Sequence, residues 1–279
     1  MTESFGARLR TALDARGPLC AGIDPHSALL TSWGLTDDIG GLEWFAGMVV
    51  DALADRVAVL KPQSAFFERF GSRGIAVLER TVADARAAGA LVILDAKRGD
   101  IGSTAEAYAQ AYLDPSSPLF SDAMTASPYL GYGSLEPLYA TAEKHGAGVF
   151  VLAFTSNPEG GAVQRATTAD GATVGGSILA QAARRNTDAE PLGSIGAVIG
   201  ATLAEGVPFD LARLNGPLLA PGLGAQGARP DDLRPIFGEA LRNVVPAMSR
   251  EILRHGPDVN RLRDAASRAI DECGIALGY

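Results

Sequence analysis

The sequence predicts a single-domain α/β fold, the (β/α)₈ TIM barrel, in which eight parallel strands alternate with helices. Short apolar runs alternate with Ala-, Arg- and Glu-rich stretches of helical periodicity, which is typical of parallel βαβ units. Eight such runs fit into 279 residues, a usual size for this barrel. No linker, low-complexity tract or block of charge divides the chain. We therefore expect one barrel domain over residues 1–279.

The predicted strands follow one another with helical stretches between most of them. The first run, LCAGID, is not followed by GxGxxG, which argues against an open dinucleotide-binding sheet. The last two runs contain or adjoin Pro221 and Pro246, and proline is unusual in central strands. The predicted strands are residues 19–24, 57–61, 91–95, 123–127, 148–154, 196–201, 217–221 and 243–248.

One long stretch after the fifth strand, residues 155–173, has no regular pattern. Its sequence is TSNPEGGAVQRATTADGAT. Loops of this length inside compact domains are usually lids or binding elements. We therefore expect an irregular functional loop here.

Composition and charge exclude several classes of function. The net charge is -8 and no run of Lys or Arg occurs, which argues against nucleic acid as a partner. No apolar stretch approaches the roughly 20 residues that span a bilayer, and residues 1–17 resemble an amphipathic helix rather than a signal peptide. Cys20 and Cys273 lie in apolar contexts, so we expect buried free thiols in a reducing cytoplasm. Three histidines are too few for a His-rich metal site.

The most informative stretch is LDAKRGDIGST, residues 94–104, at the end of the third strand. Asp95 and Lys97 are two residues apart, so on an extended backbone their side chains project from the same face. Asp100 follows after a turn. Desolvating two carboxylates and an ammonium at one corner is costly, which favours a functional site over a surface ion pair.

The residues after this motif predict a helix start. Ser103 and Glu106 have the spacing of a capping box. The segment AEAYAQAYL then continues with residues that favour helix. We expect Ser103 to cap this helix.

Charged residues close three successive strands. Asp24 ends the first strand, Lys61 the second, and Asp95 and Lys97 the third. In this barrel the active site gathers at the carboxyl ends of the strands. One such residue could be a surface charge, but charges at the ends of three successive strands together predict a site.

A second constellation follows the last two strands. The loop PGLGAQG, residues 221–227, includes Gln226, and Ser249 and Arg250 follow the eighth strand. A Gly-rich loop alone is often only a turn. At this position of the barrel, however, backbone N–H groups and an Arg commonly bind phosphate.

These motifs together resemble the orotidine 5′-phosphate decarboxylase family over residues 19–257. LDAKRGDIGST, GIDPH, PGLGAQG and SREIL occur in the family's order. The DPH, SPYLG and TSNP segments are similar to the longer bacterial subgroup that includes the mycobacterial enzymes. The resemblance implies decarboxylation of orotidine 5′-phosphate to UMP without a metal or cofactor, the last step of pyrimidine nucleotide synthesis.

The resemblance also implies the catalytic residues. Lys61, Asp95, Lys97 and Asp100 would form an alternating network of charges around the substrate carboxylate and C6. Lys97 would be the proton donor. Asp95 would repel the substrate carboxylate and favour its loss.

Further residues would bind the substrate. Asp24 and Lys61 would bind the ribose hydroxyls. Ser156 would hydrogen-bond the pyrimidine amide, and Gln226 and Arg250 would hold the phosphate.

The resemblance further implies a homodimer with shared active sites. Asp100, Ile101 and Thr104 would therefore be donated by the neighbouring subunit. The substrate would be the only small-molecule partner, with neither nucleic acid nor membrane involved.

Two alternatives remain open. A sugar-phosphate decarboxylase or hexulose-phosphate synthase of the same superfamily shares DxKxxD and would need Mg²⁺. A catalytically silent nucleotide-binding barrel is the other alternative, although intact Asp95, Lys97 and Asp100 argue against it.

The sequence departs from the family pattern at two positions. Gln63 and Ser127 stand where relatives often carry Asn, and neither change removes a charged group.

Overall fold

The structure, a computed structural model, describes residues 3–203, 206–224 and 227–279 and confirms the (β/α)₈ barrel. Eight parallel strands close in sequence order, and β8 pairs with β1. Each predicted apolar run forms one strand, because runs buried on both faces must be apolar throughout. The strands are β1 Cys20–Ile23, β2 Val59–Pro62, β3 Leu91–Arg98, β4 Ala123–Ala126, β5 Gly148–Phe154, β6 Ile195–Ile199, β7 Leu218–Pro221 and β8 Val244–Met248.

Helices cover the outside of the barrel. Between β6 and β7 the described residues form only a short 3₁₀ helix, Leu211–Leu214. The helix that begins at Val259 is capped by Asp258, whose carboxylate accepts the N–H of Arg261 at 3.0 Å. The α-helices are α1 Phe5–Arg16, α2 Ser27–Ser32, α3 Ile39–Leu53, α4 Ser64–Glu68, α5 Gly71–Ala87, α6 Gly102–Leu113, α7 Glu136–His145, α8 Gly161–Gln164, α9 Val174–Arg185, α10 Leu233–Phe237, α11 Arg250–Leu253 and α12 Val259–Leu277.

The first helix covers the amino-terminal end of the barrel. Phe5, Leu9 and Leu13 of α1 are fully buried against side chains of the barrel interior. The Phe5 ring meets Phe150 of β5 edge-on, with 5.9 Å between ring centroids. Burial of each such side chain contributes about 1.5–3 kcal/mol. The amphipathic helix predicted for the start of the chain is confirmed.

The last residue of the chain returns to this end of the barrel. The Tyr279 hydroxyl accepts a hydrogen bond from Arg10 of α1 at 2.7 Å and donates to the carbonyl of Arg242 at 3.0 Å. The Arg242 guanidinium also stacks on the Tyr279 ring, 4.1 Å from its centroid. Both ends of the described chain therefore lie opposite the carboxyl ends of the strands.

Two local predictions were wrong. Helix α6 begins at Gly102 rather than after Ser103, so the Ser103 hydroxyl lies inside the first turn and does not cap it. The Asp100 carboxylate instead accepts the Ile101 N–H at 2.8 Å just before the helix. The segment predicted as irregular, residues 155–173, contains a 3₁₀ turn followed by α8.

Cys20 and Cys273 are free and buried, as expected. Burial raises the pKa of both thiols to about 12, which keeps them protonated. No helix within residues 3–203, 206–224 and 227–279 has the length and apolar character needed to cross a membrane.

Candidate active site

A cavity of about 550 Å³ opens at the carboxyl ends of the strands. It is lined by charged residues that were expected to converge, which lie in or directly after the first three strands. A smaller cavity of about 100 Å³ adjoins it and shares Asp24, Lys61 and Pro221 with it. The charged residues in the larger cavity are Asp24, Lys61, Asp95 and Lys97.

Asp95 lies between two ammonium groups. Its Oδ2 is 3.1 Å from Lys61 Nζ, and its Oδ1 is 2.6 Å from Lys97 Nζ. Only 7% of Asp95 and of Lys61 is exposed. The Lys97 side chain, in contrast, is 46% exposed and reaches the cavity from the rim. The deeper pair is shielded from water, whereas the Lys97 ammonium is free to contact a ligand.

These contacts set the charge states of the buried pair. Burial alone would raise the pKa of Asp95, but the charges of Lys61 and Lys97 outweigh it and hold that pKa well below its usual range. Burial likewise opposes the charge on Lys61, but Asp95 and Asp24 outweigh it and raise the pKa of Lys61. Both groups are therefore ionised at neutral pH.

Thr125 of β4 belongs to this cluster, although sequence reasoning missed it. Its hydroxyl is 2.8 Å from Asp95 Oδ1 and 3.0 Å from the backbone nitrogen of Lys97. Thr125 is 1% exposed. A threonine in the otherwise apolar run AMTA was the one signal in the sequence that could have indicated it.

Three buried oxygens of the two cavities have no hydrogen-bond partner among the described residues. They are Asp24 Oδ1, Ser156 Oγ and Ser249 Oγ. Gly200 makes room for one of them, because a Cβ at that position would lie 2.2 Å from Ser156 Oγ. Buried polar atoms are rarely left unpaired, so these three point to a polar ligand.

The smaller cavity joins the loop after β7 to the residues after β8. Gly222 and Leu223 line one side, and Ser249 and Arg250 line the other. Gly222 has a φ of 115°, which favours glycine. The Arg250 guanidinium makes no hydrogen bond or ion pair with any described residue. Gln226, the other residue expected to bind phosphate, lies outside the described residues.

Three expected site residues do not reach either cavity of their own chain. The Asp100 carboxylate turns back to the Ile101 N–H, and 62% of Ile101 is exposed. Thr104 is also exposed, on the first turn of α6. Within one chain, therefore, Asp100 does not join Asp95 and Lys97.

The arrangement can stabilise an anion that forms beside Lys97. A cation, an anion and a second cation alternate across a partly closed cavity, where electrostatic interactions are stronger than in water. In the part of the chain that the structure describes, no cluster of three or more His, Cys, Asp and Glu side chains is placed to hold a metal ion.

Comparison with known proteins points to one family. Residues 17–265 match the Orotidine 5′-phosphate decarboxylase / HUMPS family. The chain is 67% identical over 275 residues to the orotidine 5′-phosphate decarboxylase of Streptomyces coelicolor, and the match covers 99% of each protein.

Solved structures agree with this match. A crystal structure from Streptomyces avermitilis is 64% identical, with a TM-score of 0.97, and the match covers 100% of this chain and 97% of that one. Leishmania donovani UMP synthase is 30% identical with a TM-score of 0.78. That match covers 99% of this chain and 57% of the synthase.

Proposed function

The chain belongs to the orotidine 5′-phosphate decarboxylase family, and we propose how its own side chains carry out the reaction. The enzyme converts orotidine 5′-phosphate to UMP and CO₂ in pyrimidine nucleotide synthesis. Loss of CO₂ leaves an electron pair on C6 in the plane of the pyrimidine ring, where no π-system delocalises it. The protein must therefore stabilise a localised carbanion and deliver one proton.

Lys97 is the cation beside C6 and the acid that protonates it. Its half-exposed ammonium borders the cavity and is held 2.6 Å from Asp95 Oδ1. When the bond from C6 to the carboxylate breaks, its electron pair stays on C6 and a proton moves there from Lys97 Nζ. Nζ then recovers a proton from solvent. The sum is orotidine 5′-phosphate plus one proton giving UMP and CO₂.

Asp95 lies against the substrate carboxylate in this mechanism. Its lowered pKa means that it is charged when the substrate enters. Two neighbouring carboxylates repel each other, and departure of CO₂ relieves the repulsion. Lys61 keeps Asp95 ionised from the buried side and, with Asp24, binds the ribose hydroxyls.

The remaining polar groups hold the two ends of the nucleotide. The Ser156 hydroxyl, which has no partner among the described residues, is suited to the pyrimidine amide. The Arg250 guanidinium, which bonds to no described residue, is suited to the phosphate. Gln226 joins the phosphate site on the strength of the family resemblance alone. Binding at both ends of the nucleotide holds C6 beside Lys97, so that binding energy is used to orient the reacting groups.

The active enzyme is a homodimer in which each subunit completes the other's site with Asp100, Ile101 and Thr104. As described, none of these three residues lines either of the two site cavities of its own chain. Ile101 is 62% exposed, and Tyr129 and Leu130 in the loop after β4 are 80% and 54% exposed. Large apolar side chains exposed at a site rim are typical of surfaces that a partner covers.

The chain acts as one domain over residues 1–279 in the cytoplasm. Its two cysteines are free thiols, which is the usual state in a reducing compartment. Recovery of the native protein from the cytoplasmic fraction of its own cells tests this proposal, and recovery from another compartment would contradict it.

The contact between Lys97 and Asp95 is the observation that carries the mechanism. Lys97→Ala should lower kcat at least about 100-fold, as for loss of one preorganised donor to the transition state. It should still bind UMP. Lys144→Ala, which removes an exposed lysine of α7, is the matched control and should keep full activity. Loss of orotate absorbance measures turnover, and a Lys97→Ala protein with more than about a tenth of wild-type kcat contradicts the mechanism.

A further inference from the structure

Strand β3 departs from regular pairing where it carries the charged residues. It pairs regularly with β4 up to Leu94 and again at Arg98. Between these points, residues 95–97 face a single residue of β4, Thr125. Bulges of this kind re-aim side chains and leave backbone groups without a partner in the sheet. Both Asp95 and Lys97 lie within this bulge.

The Thr125 hydroxyl forms hydrogen bonds with two groups of the bulge, the backbone N–H of Lys97 and the carboxylate of Asp95. It accepts the backbone N–H of Lys97 at 3.0 Å and donates its own proton to Asp95 Oδ1 at 2.8 Å. A hydroxyl has one donor proton and two acceptor positions, so both bonds form together. The same Asp95 Oδ1 accepts from Lys97 Nζ at 2.6 Å.

Lys97 needs such a restraint because of its backbone conformation. Its φ is 48°, in the left-handed region that residues other than glycine rarely adopt. It is one of two described non-glycine residues with positive φ, the other being Asn215. Conformations of this kind persist only where the surroundings hold them, and they cluster at functional sites.

We propose that Thr125 is a positioning residue for the decarboxylation, whose hydroxyl holds the backbone of Lys97 and the carboxylate of Asp95 in one fixed arrangement. The two ends of Lys97 are then both tied to Asp95 Oδ1, its ammonium directly and its N–H through Thr125. The proposal rests on the role assigned above to Lys97. Thr125 itself transfers no proton.

Threonine suits this task for two reasons. Its β-branch restricts rotation about χ1 and so keeps the hydroxyl aimed at its two partners. Its burial, with 1% exposed, keeps water from competing for either hydrogen bond. Valine has the same shape without the hydroxyl, and serine has the hydroxyl without the β-branch.

The test compares Thr125→Val and Thr125→Ser with the wild-type enzyme. Thr125→Val should lower kcat about 10- to 100-fold, the range expected for one hydrogen bond to a charged group. The dissociation constant of UMP should change less than about threefold, because Thr125 has no role in holding the ribose or phosphate. Thr125→Ser should restore kcat to within about threefold of wild type, since it keeps both hydrogen bonds.

Exchange of the C6 hydrogen of UMP for deuterium in D₂O gives a second readout. In this exchange the neutral Lys97 amine takes the C6 proton, exchanges it with D₂O and returns a deuteron to C6. The exchange needs Lys97 in place but no loss of CO₂, so its rate should fall in parallel with kcat. Thr81→Val is the matched control. Thr81 is also buried, but its hydroxyl bonds the Val77 carbonyl within α5 at 2.8 Å. Its loss should leave both rates unchanged.

Two results would overturn the proposal. One is equal kcat for Thr125→Val and Thr125→Ser, and the other is a parallel loss of turnover and UMP binding. Lys97→Ala distinguishes failure of this proposal from failure of the proposed mechanism. If Lys97→Ala is inactive while Thr125→Val is fully active, only the positioning role of Thr125 is wrong. If Lys97→Ala is active, the role of Lys97 in the proposed mechanism is wrong. Should Thr125→Val not fold, Thr125→Cys, with a weakly hydrogen-bonding thiol of similar size, carries the same expectation.

Discussion

Replacing Lys61 by Met should lower the free energy of unfolding more than replacing Lys97 by Met, although Lys97 is closer to Asp95. Lys97 is the closer, at 2.6 Å against 3.1 Å for Lys61. Distance alone would make the Lys97 contact the stronger one. However, 46% of the Lys97 side chain is exposed and only 9% of the Lys61 side chain, so water screens the first contact much more.

The magnitudes follow from Coulomb's law. For Lys61, a separation of 3.1 Å and an effective dielectric constant of about 20 give an attraction of about 5 kcal/mol. For Lys97, 2.6 Å and a dielectric constant of about 80 give about 1.6 kcal/mol, which side-chain entropy reduces further. Since Lys97 still compensates Asp95 when Lys61 is removed, Lys61→Met should lower the free energy of unfolding by about 3 kcal/mol. Lys97→Met should lower it by less than about 1 kcal/mol.

Urea unfolding at one fixed protein concentration measures both changes. Lys144→Met, at the third lysine of the chain and exposed on α7, controls for the substitution itself. Because the pKa of Asp95 is lowered, its stabilisation is present above the ordinary value of 3.8 and is lost as pH falls below it. Measurements at pH 7 therefore record the full effect. Equal losses for the two variants, or a larger loss for Lys97→Met, would show that solvent exposure does not weaken the contact between Lys97 and Asp95.

Three further predictions concern phosphate, subunits and metal. Arg250→Ala should lower kcat/KM for orotidine 5′-phosphate far more than for the phosphate-free nucleoside, by at least about tenfold; equal losses would make Arg250 structural. Mixing inactive Lys97→Ala and Asp100→Ala subunits under exchange should restore about a quarter of wild-type activity, because half of the dimers are mixed and each has one intact site. Confirmed exchange without recovered activity would place Asp100 in its own subunit's site. A chelator should leave turnover unchanged, whereas an absolute need for added Mg²⁺ would favour the sugar-phosphate branch of the superfamily.

The barrel and its charged cluster were predictable because both depend on short patterns. A strand buried on both faces must be apolar along its length, so each apolar run marked a strand. Once the strands were known, their carboxyl ends had to meet, which brought Asp24, Lys61 and Asp95 into one cavity. Asp95 and Lys97 were expected to project from one face of the strand, and their side chains are in contact. Their contact, however, depends on a bulge and a left-handed Lys97 rather than on a regular strand.

The features that sequence reasoning missed depend on pairing between strands. The role of Thr125 follows from the register of β3 against β4, which no local pattern contains. The spacing of Ser103 and Glu106 suggested a cap, but the chain enters α6 earlier, at Gly102. Local spacing shows that a cap is possible, whereas the path of the preceding turn decides whether it forms.

The position of the two chain ends has a practical consequence. Helix α1 and Tyr279 both pack at the amino-terminal end of the barrel, and the substrate cavity opens at the other end. A tether that attaches either terminus to a surface would therefore leave the opening of the cavity facing solution. The same geometry would allow a second protein to be fused at either end without covering the entrance, so that substrate, UMP and CO₂ could pass freely.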